Sequence, residues 1–365
     1  MPGVYLSYPF CAQKCTYCNF ASGVLPRELE PVYREALRAE IAAHRWSWTP
    51  ETVYLGGGTP SQMDPAALAG LIDAIPGRPW REATIEAAPG TVTPEVAAAW
   101  RAAGITRVSL GVQSFVPREL ARTGRKHTAG IVERETATLL AAGIAEINID
   151  LIAGLPAQTA ETWNESLDWI ERLAPAHVSV YMLEVDEDSR LGQEVLLNGQ
   201  RYGAPEVPGD ERIAAFYETA VARLESLGIA RYEISNFARP GSESLHNLKY
   251  WRLEPYVGFG ADAHSFDGGL RSQNVESVQD YVTRYREGRP PIEESTPARL
   301  EEERFFVGLR LTEGIHPEPA EWDRFAAPIR RFLDLGLLAS DGAALRLTPR
   351  GVLLSNEVFQ EFLAA

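Results

Sequence analysis

The chain has 365 residues, 45% of them hydrophobic, with 35 Lys and Arg against 50 Asp and Glu and a formal net charge of −15. That length has room for about two domains and a large core, and the acidic balance disfavours nucleic acid or an anionic membrane surface as main partner, leaving small molecules where basic residues gather locally. No apolar run approaches the roughly 20 residues that span a bilayer, the polar cysteine cluster beginning at residue 11 leaves no room for a secretory signal, and free clustered cysteines fit a reducing compartment, so the expected location is the cytoplasm.

Short apolar runs predict strands at 3–8, 52–57, 84–89, 107–112, 146–152 and 177–183. Helical patterns lie between them, as at 28–44, 64–75 and 128–143. Asp64 and Pro65 form an N-cap and first-position pair, Thr128 reads as a cap, and Gly143 as a C-terminal stop. Six β-then-α units argue for a parallel sheet with helices outside it. Periodicity alone leaves open a barrel, a partial barrel or an open doubly wound sheet. The alternation fades after about residue 185, where a helix at 209–228 leads to a Gly- and aromatic-rich segment, 236–296. From 297 to 365 the pattern is helices plus a short hairpin turning at Asp341–Gly342, like a winged helix without a basic recognition helix. The domain reading is thus 1–235, 236–296 and 297–365.

All three cysteines sit in "YPFCAQKCTYCNF" (8–20), as C-x3-C-x2-C at Cys11, Cys15 and Cys18. A structural zinc site needs a fourth ligand, here a distant His or carboxylate. A redox pair of Cys15 and Cys18 leaves Cys11 idle. A 4Fe–4S cluster on three thiolates leaves one iron open, which is useful only if something else binds there. The amino and carboxylate groups of S-adenosylmethionine can do so, and an electron from the cluster then cleaves its C–S bond. The motif follows the first predicted strand, on the side where parallel β/α folds keep their chemistry. "GGGTP" (56–60) follows the second strand and permits close backbone approach to a ligand. Glu86, Gln113 and Asp150 fall on successive strands, where packing poorly explains polar side chains and a polar ligand would account for them.

These residues resemble those of the radical S-adenosylmethionine enzymes. More narrowly, the chain is similar, from Tyr5 to the C-terminal module, to the branch holding oxygen-independent coproporphyrinogen III oxidases and the HemW-type heme chaperones. The resemblance implies a partial (β/α)6 TIM-type barrel with a small C-terminal winged-helix-like domain. It implies that Cys11, Cys15 and Cys18 ligate the 4Fe–4S cluster and that Tyr5 and Tyr17 line it and the cofactor. Gly57, Gly58 and Thr59 would contact the methionyl part of S-adenosylmethionine, and Glu86, Gln113, Arg125 and Asp150 would complete its site.

Two features separate the branches. The oxidases carry a fourth nearby cysteine where this chain has Phe20, and "HNLKYW" (246–251) matches the H-N-x-x-Y-W motif of heme-binding members. The match implies His246 as a heme ligand, with Tyr250 and Trp251 as flat faces and Lys249, Arg252 and Arg271 as partners for propionates. The chain departs from the family pattern at Ser7 and Tyr8, at Ala88 before Pro89, and at Asp262 where a glycine is usual. The implied function is a chaperone that binds heme and passes it to an acceptor protein, with an electron donor of flavodoxin or ferredoxin type. Oxygen-independent coproporphyrinogen III oxidation and radical methylation of a tetrapyrrole stay open as alternatives.

Overall fold

The computed structural model describes residues 2–363. Its first half alternates strand and helix: β1 (Gly3–Tyr8), α1 (Leu29–Ala43), β2 (Thr52–Gly57), α2 (Pro65–Ile72), β3 (Glu82–Ala87), α3 (Pro94–Ala102), β4 (Arg107–Gln113), α4 (Pro117–Thr123), α5 (Ala129–Ala141), β5 (Glu146–Ala153), α6 (Ala160–Leu173) and β6 (His177–Met182). β1 to β6 are parallel and stand side by side in chain order. Local chemistry sets the boundaries. Asp64 accepts a hydrogen bond from Ala67 N, and Gly143 leaves α5 at φ 82°. Thr128 stands at the N-cap of α5 but its side chain makes no cap bond, contrary to expectation. β3 begins at Glu82, two residues before the predicted start, because an ion pair to Arg107 anchors that end; Pro89, without an N–H, lies beyond the other.

Alternation along these strands separates two faces. Val4, Leu6, Val53, Leu55, Ile85, Val108, Leu110, Ile149 and Val180 are fully buried apolar residues. The residues between them (Tyr5, Tyr54, Thr84, Glu86, Ser109, Asn148, Asp150, Ser179) form the opposite face. In a closed TIM barrel that inner face is filled by branched apolar side chains; here it is polar.

The chain continues through α7 (Arg190–Leu196), α8 (Asp210–Ser226), β7 (Ala230–Arg231), β8 (Asn236–Ala238), α9 (Leu245–Trp251), β9 (Tyr256–Phe259), β10 (His264–Phe266), β11 (Leu270–Asn274), α10 (Val278–Arg286) and β12 (Ile292–Pro297). Strands from this part extend both edges of the same sheet: β8 pairs antiparallel with β6, while β9 pairs parallel with β1 and carries β10, β11 and β12 outward. Asp262 takes φ 59°, a backbone position that favours glycine, and Gln273 Nε2 donates to its carboxylate at 3.0 Å. Ser7 is buried, and its carbonyl accepts from Tyr33 OH at 2.8 Å.

The C-terminal module comprises α11 (Leu300–Gly308), α12 (Pro319–Arg324), α13 (Ala326–Asp334), the hairpin β13 (Leu338–Ser340) and β14 (Leu345–Leu347), α14 (Pro349–Leu353) and α15 (Ser355–Gln360). It has its own core, centred on Phe305, Phe325 and Phe362 with ring centroids 4.5–5.5 Å apart. Arg310 ties it to buried Glu233 at 3.3 Å.

Candidate functional site

The cysteine segment leaves β1 and crosses the ends of the parallel strands, pinned at several points. Gly58 N donates to Tyr8 O at 2.7 Å and Thr59 N to Phe10 O at 2.9 Å, so the glycine-rich turn after β2 holds the start of the segment. The fit is tight: a Cβ on Gly58 would lie 2.7 Å from Phe10 O, and Gly57 takes φ 107°. Farther along, Gln13 Nε2 donates to Gly124 O and Thr16 N to Thr123 O, at the end of α4, while Leu191 N donates to Thr16 O. All three cysteines are free and partly exposed. Burial pushes the Cys11 thiol up in pKa, and the Thr59 hydroxyl beside it opposes the rise.

Beside this segment the concave face gathers its charged groups. Arg125 donates from Nε to Tyr17 OH at 3.2 Å and through its NH1 group to Gly111 O at 2.5 Å, linking the cysteine segment to β4. Gln113 ends β4 at φ 71°, and its Oε1 is buried without a hydrogen-bond partner. Glu86 accepts from Tyr54 OH at 3.0 Å and Gly57 N at 3.2 Å. Gly56 is closely surrounded, since a Cβ there would come within 3.0–3.1 Å of the Glu86 carboxylate and the Tyr54 and Tyr5 rings, which would have to give way. Asp150 accepts from Ser109 Oγ at 3.1 Å and Asn148 Nδ2 at 2.7 Å.

Burial, and then the charge of Asp150, pushes Glu86 up to about 7 against those two hydrogen bonds. The folded chain therefore keeps a proton that the unfolded chain releases near its ordinary value of 4.5. The stability this group contributes is present below that value and lost as pH rises through about 7. Without added cofactor, Glu86→Gln is expected to lose less stability than the wild type between roughly pH 5 and pH 7.5, read as urea midpoints. Equal losses would show that Glu86 does not titrate there.

The residues missed at the sequence level continue the same face downward. Asn148 donates to Ser179 Oγ at 3.0 Å and accepts at Oδ1 from the His177–Ser179 side, while His177 Nε2 meets Tyr232 OH at 2.9 Å. With Thr84, Arg107 and Asn236, the side chains of Asn148, His177 and Ser179 line a small polar cavity of about 20 Å³. The signal was present: polar residues recur two apart in "RVS", "NID" and "HVS" (107–109, 148–150, 177–179).

Comparison with known proteins places the chain. The model of the radical SAM superfamily matches residues 5–170, and that of the HemN C-terminal domain matches 296–354. A Bacillus subtilis (strain 168) protein described as heme chaperone HemW is 35% identical, covering 100% of this chain and 99% of its own. A Mycobacterium tuberculosis (strain ATCC 25618 / H37Rv) protein of the same description is 36% identical over 99% and 94%. The chain belongs to the heme chaperone HemW family of the radical SAM superfamily. The solved structure of the radical SAM enzyme coproporphyrinogen III oxidase (HemN) from Escherichia coli superposes with a TM-score of 0.85 over 99% of this chain and 89% of its own, at 22% identity, and so shares the fold.

Radical SAM membership implies a 4Fe–4S cluster and S-adenosylmethionine, and the residues present fit both. Cys11, Cys15 and Cys18 are free and partly exposed, and a four-iron cluster takes one thiolate per iron on separate corners. Two neighbouring carboxyl groups, Glu86 and Asp150, repel each other across the concave face, and an ammonium or sulfonium group would relieve that repulsion. Gln113 Oε1 offers such a ligand an unused acceptor.

The heme-ligand expectation for His246 needs correction. The ring is 1% exposed, Nδ1 is 2.8 Å from Thr52 Oγ1 and Nε2 is 2.8 Å from Tyr250 OH, so neither nitrogen is open to an iron. Burial, aided by Lys249, pushes its pKa down to about 3, so the ring is neutral. Lys249 pairs with Glu51 and Glu254, Arg271 makes a two-pronged pair with Glu303, and Arg252 meets Glu313. The first part of the motif thus locks α9 onto the sheet. His246→Ala is expected to cost about 1–3 kcal/mol by leaving Thr52 and Tyr250 unpaired, measured by urea unfolding, with the spectrum of added heme unchanged; a lost heme spectrum in a stably folded variant would restore the ligand role.

Proposed function

We propose that this chain is a heme chaperone that binds a 4Fe–4S cluster, S-adenosylmethionine and heme, and passes the heme to an acceptor protein. The observation that carries the reading is the full-length likeness to proteins described as heme chaperones. Phe20, 67% exposed where the oxidases have their fourth cysteine, supports it. Cys11, Cys15 and Cys18 would each hold one iron, leaving the fourth for the amino acid end of the cofactor. When bound, the cluster supplies an electron able to cleave the cofactor's C–S bond.

The chain's own residues supply the setting. Thr59, Gly58 and Gly57 fix the start of the cysteine segment through their backbone and bring β2 close to the cofactor. Glu86, with Gln113, orients the cationic amino group, and Asp150 is held in place by Ser109 and Asn148. Arg125 steers Tyr17 beside Cys15, and Tyr5 stacks on Tyr54 at 6.1 Å to wall the concave face. An electron donor of flavodoxin or ferredoxin type and a protein heme acceptor complete the cycle.

The test is anaerobic: reconstitute the cluster, then offer heme and coproporphyrinogen III separately, each with S-adenosylmethionine and reductant. A stable heme spectrum with no vinyl product is expected. Substrate-dependent cofactor cleavage with conversion of propionates to vinyl groups would overturn the reading in favour of the oxidase.

A further inference from the structure

The HNLKYW string buries its histidine but ends at Trp251, and Trp251 lines a different space. A groove of about 550 Å³ separates the end of α9 and β10 from the C-terminal module, within the range of about 300–1,000 Å³ usual for small-molecule sites. Its apolar walls include Phe266 and Leu300, the latter 40% exposed. Trp251 contributes an indole Nε1–H that is buried with no hydrogen-bond partner, although a buried indole N–H usually finds one. The guanidinium of Arg310 covers the Trp251 ring at 4.3 Å.

Three further groups give the groove a chemical character. His316 lies on its wall, exposed, and its imidazole makes no hydrogen bond among the described residues. Arg252 and Arg304 stand at the groove with carboxylate partners, Glu313 at 3.1 Å and Glu321 at 3.1 Å. The Arg252–Glu313 pair is exposed on both sides, so it contributes little and can be exchanged for another carboxylate. A ligand suited to these groups has a flat apolar body, peripheral carboxylates and a metal that accepts imidazole nitrogen. A run of rings joins the groove to the concave face: Tyr5–Tyr54 at 6.1 Å, Tyr54–His246 at 5.2 Å, His246–Tyr250 at 5.2 Å and Tyr250–Trp251 at 6.3 Å.

We propose that the groove between α9 and the C-terminal module is the heme site of this chain, with His316 as the iron ligand and Arg252 and Arg304 facing the propionates. This rests on the heme-chaperone reading above, which names the ligand but not its place.

The test titrates the full chain with hemin, following the Soret band and the stoichiometry, in the wild type, His316→Ala and Leu300→Trp. His316 is exposed, so its loss leaves the fold intact; a tryptophan at position 300 adds bulk on the groove wall. In the proposed arrangement His316→Ala loses the imidazole-ligated spectrum and Leu300→Trp binds hemin at least about tenfold more weakly, a change of about 1.4 kcal/mol, with S-adenosylmethionine binding unchanged in both. Wild-type spectrum and affinity in both variants would overturn the groove while leaving the heme-chaperone reading in place. No stoichiometric hemin binding by the wild type would instead sink that reading and the groove with it.

Discussion

Replacing Cys11, Cys15 or Cys18 singly by alanine is expected to bring iron and acid-labile sulfide, after anaerobic reconstitution, to near background. A first ligand is removed from the metal, so the loss exceeds the roughly 10–100-fold cost of losing an outer-shell partner. The fold should survive. The three side chains are partly exposed, the segment is held by backbone bonds at Gly58, Thr59 and Thr123, and none belongs to the apolar core. Stability is therefore expected to shift by no more than about 0.5 kcal/mol in the cluster-free protein. A single variant that keeps the full iron and sulfide content would remove that cysteine from the ligand set.

The second large effect lies at the opposite end of the strands. Arg107 and Glu82 are 3% and 4% exposed and meet at 3.0 Å. Glu82 also accepts from Leu245 N at 3.0 Å and His246 N at 2.9 Å, so a carboxylate at the start of β3 caps the first turn of α9. Arg107 in turn donates to Ser242 O at 2.7 Å and Glu243 O at 3.2 Å. Arg107→Met leaves the Glu82 charge buried and unpaired and is expected to cost about 3–5 kcal/mol, read from urea unfolding by circular dichroism. The double variant with Glu82→Gln should lose less than the sum of the single changes, because the pair is coupled. A cost under about 1 kcal/mol for Arg107→Met would mean that the charge is relieved by water or by rearrangement.

The parallel strands were legible because their apolar residues run in short blocks bounded by turn residues, and the predicted β1 and β2 coincide with the observed ones. The cysteine segment was legible because three thiols at that spacing have few uses. Most of what the sequence hid is non-local. Ser109, Asn148 and Ser179 look like scattered polar residues until three strands align them on one face. Glu82 and His246 stand 164 positions apart, and no local pattern joins them. His246 was read as a ligand because its string matches the H-N-x-x-Y-W motif of heme-binding members. Its role is set instead by Thr52, on β2, and by Tyr250 one helical turn away. Trp251 and His316 come together only when the C-terminal module packs beside α9.

The proposed function depends on one cluster iron that Cys11, Cys15 and Cys18 would leave unligated. Electron–nuclear double resonance of the reduced, reconstituted protein, with S-adenosylmethionine labelled at its amino nitrogen and carboxylate oxygen, tests this most directly. Magnetic coupling of both labels to a four-iron cluster is the predicted result. A cluster whose spectrum ignores the labelled compound, or a lone zinc ion in place of any cluster, would contradict it.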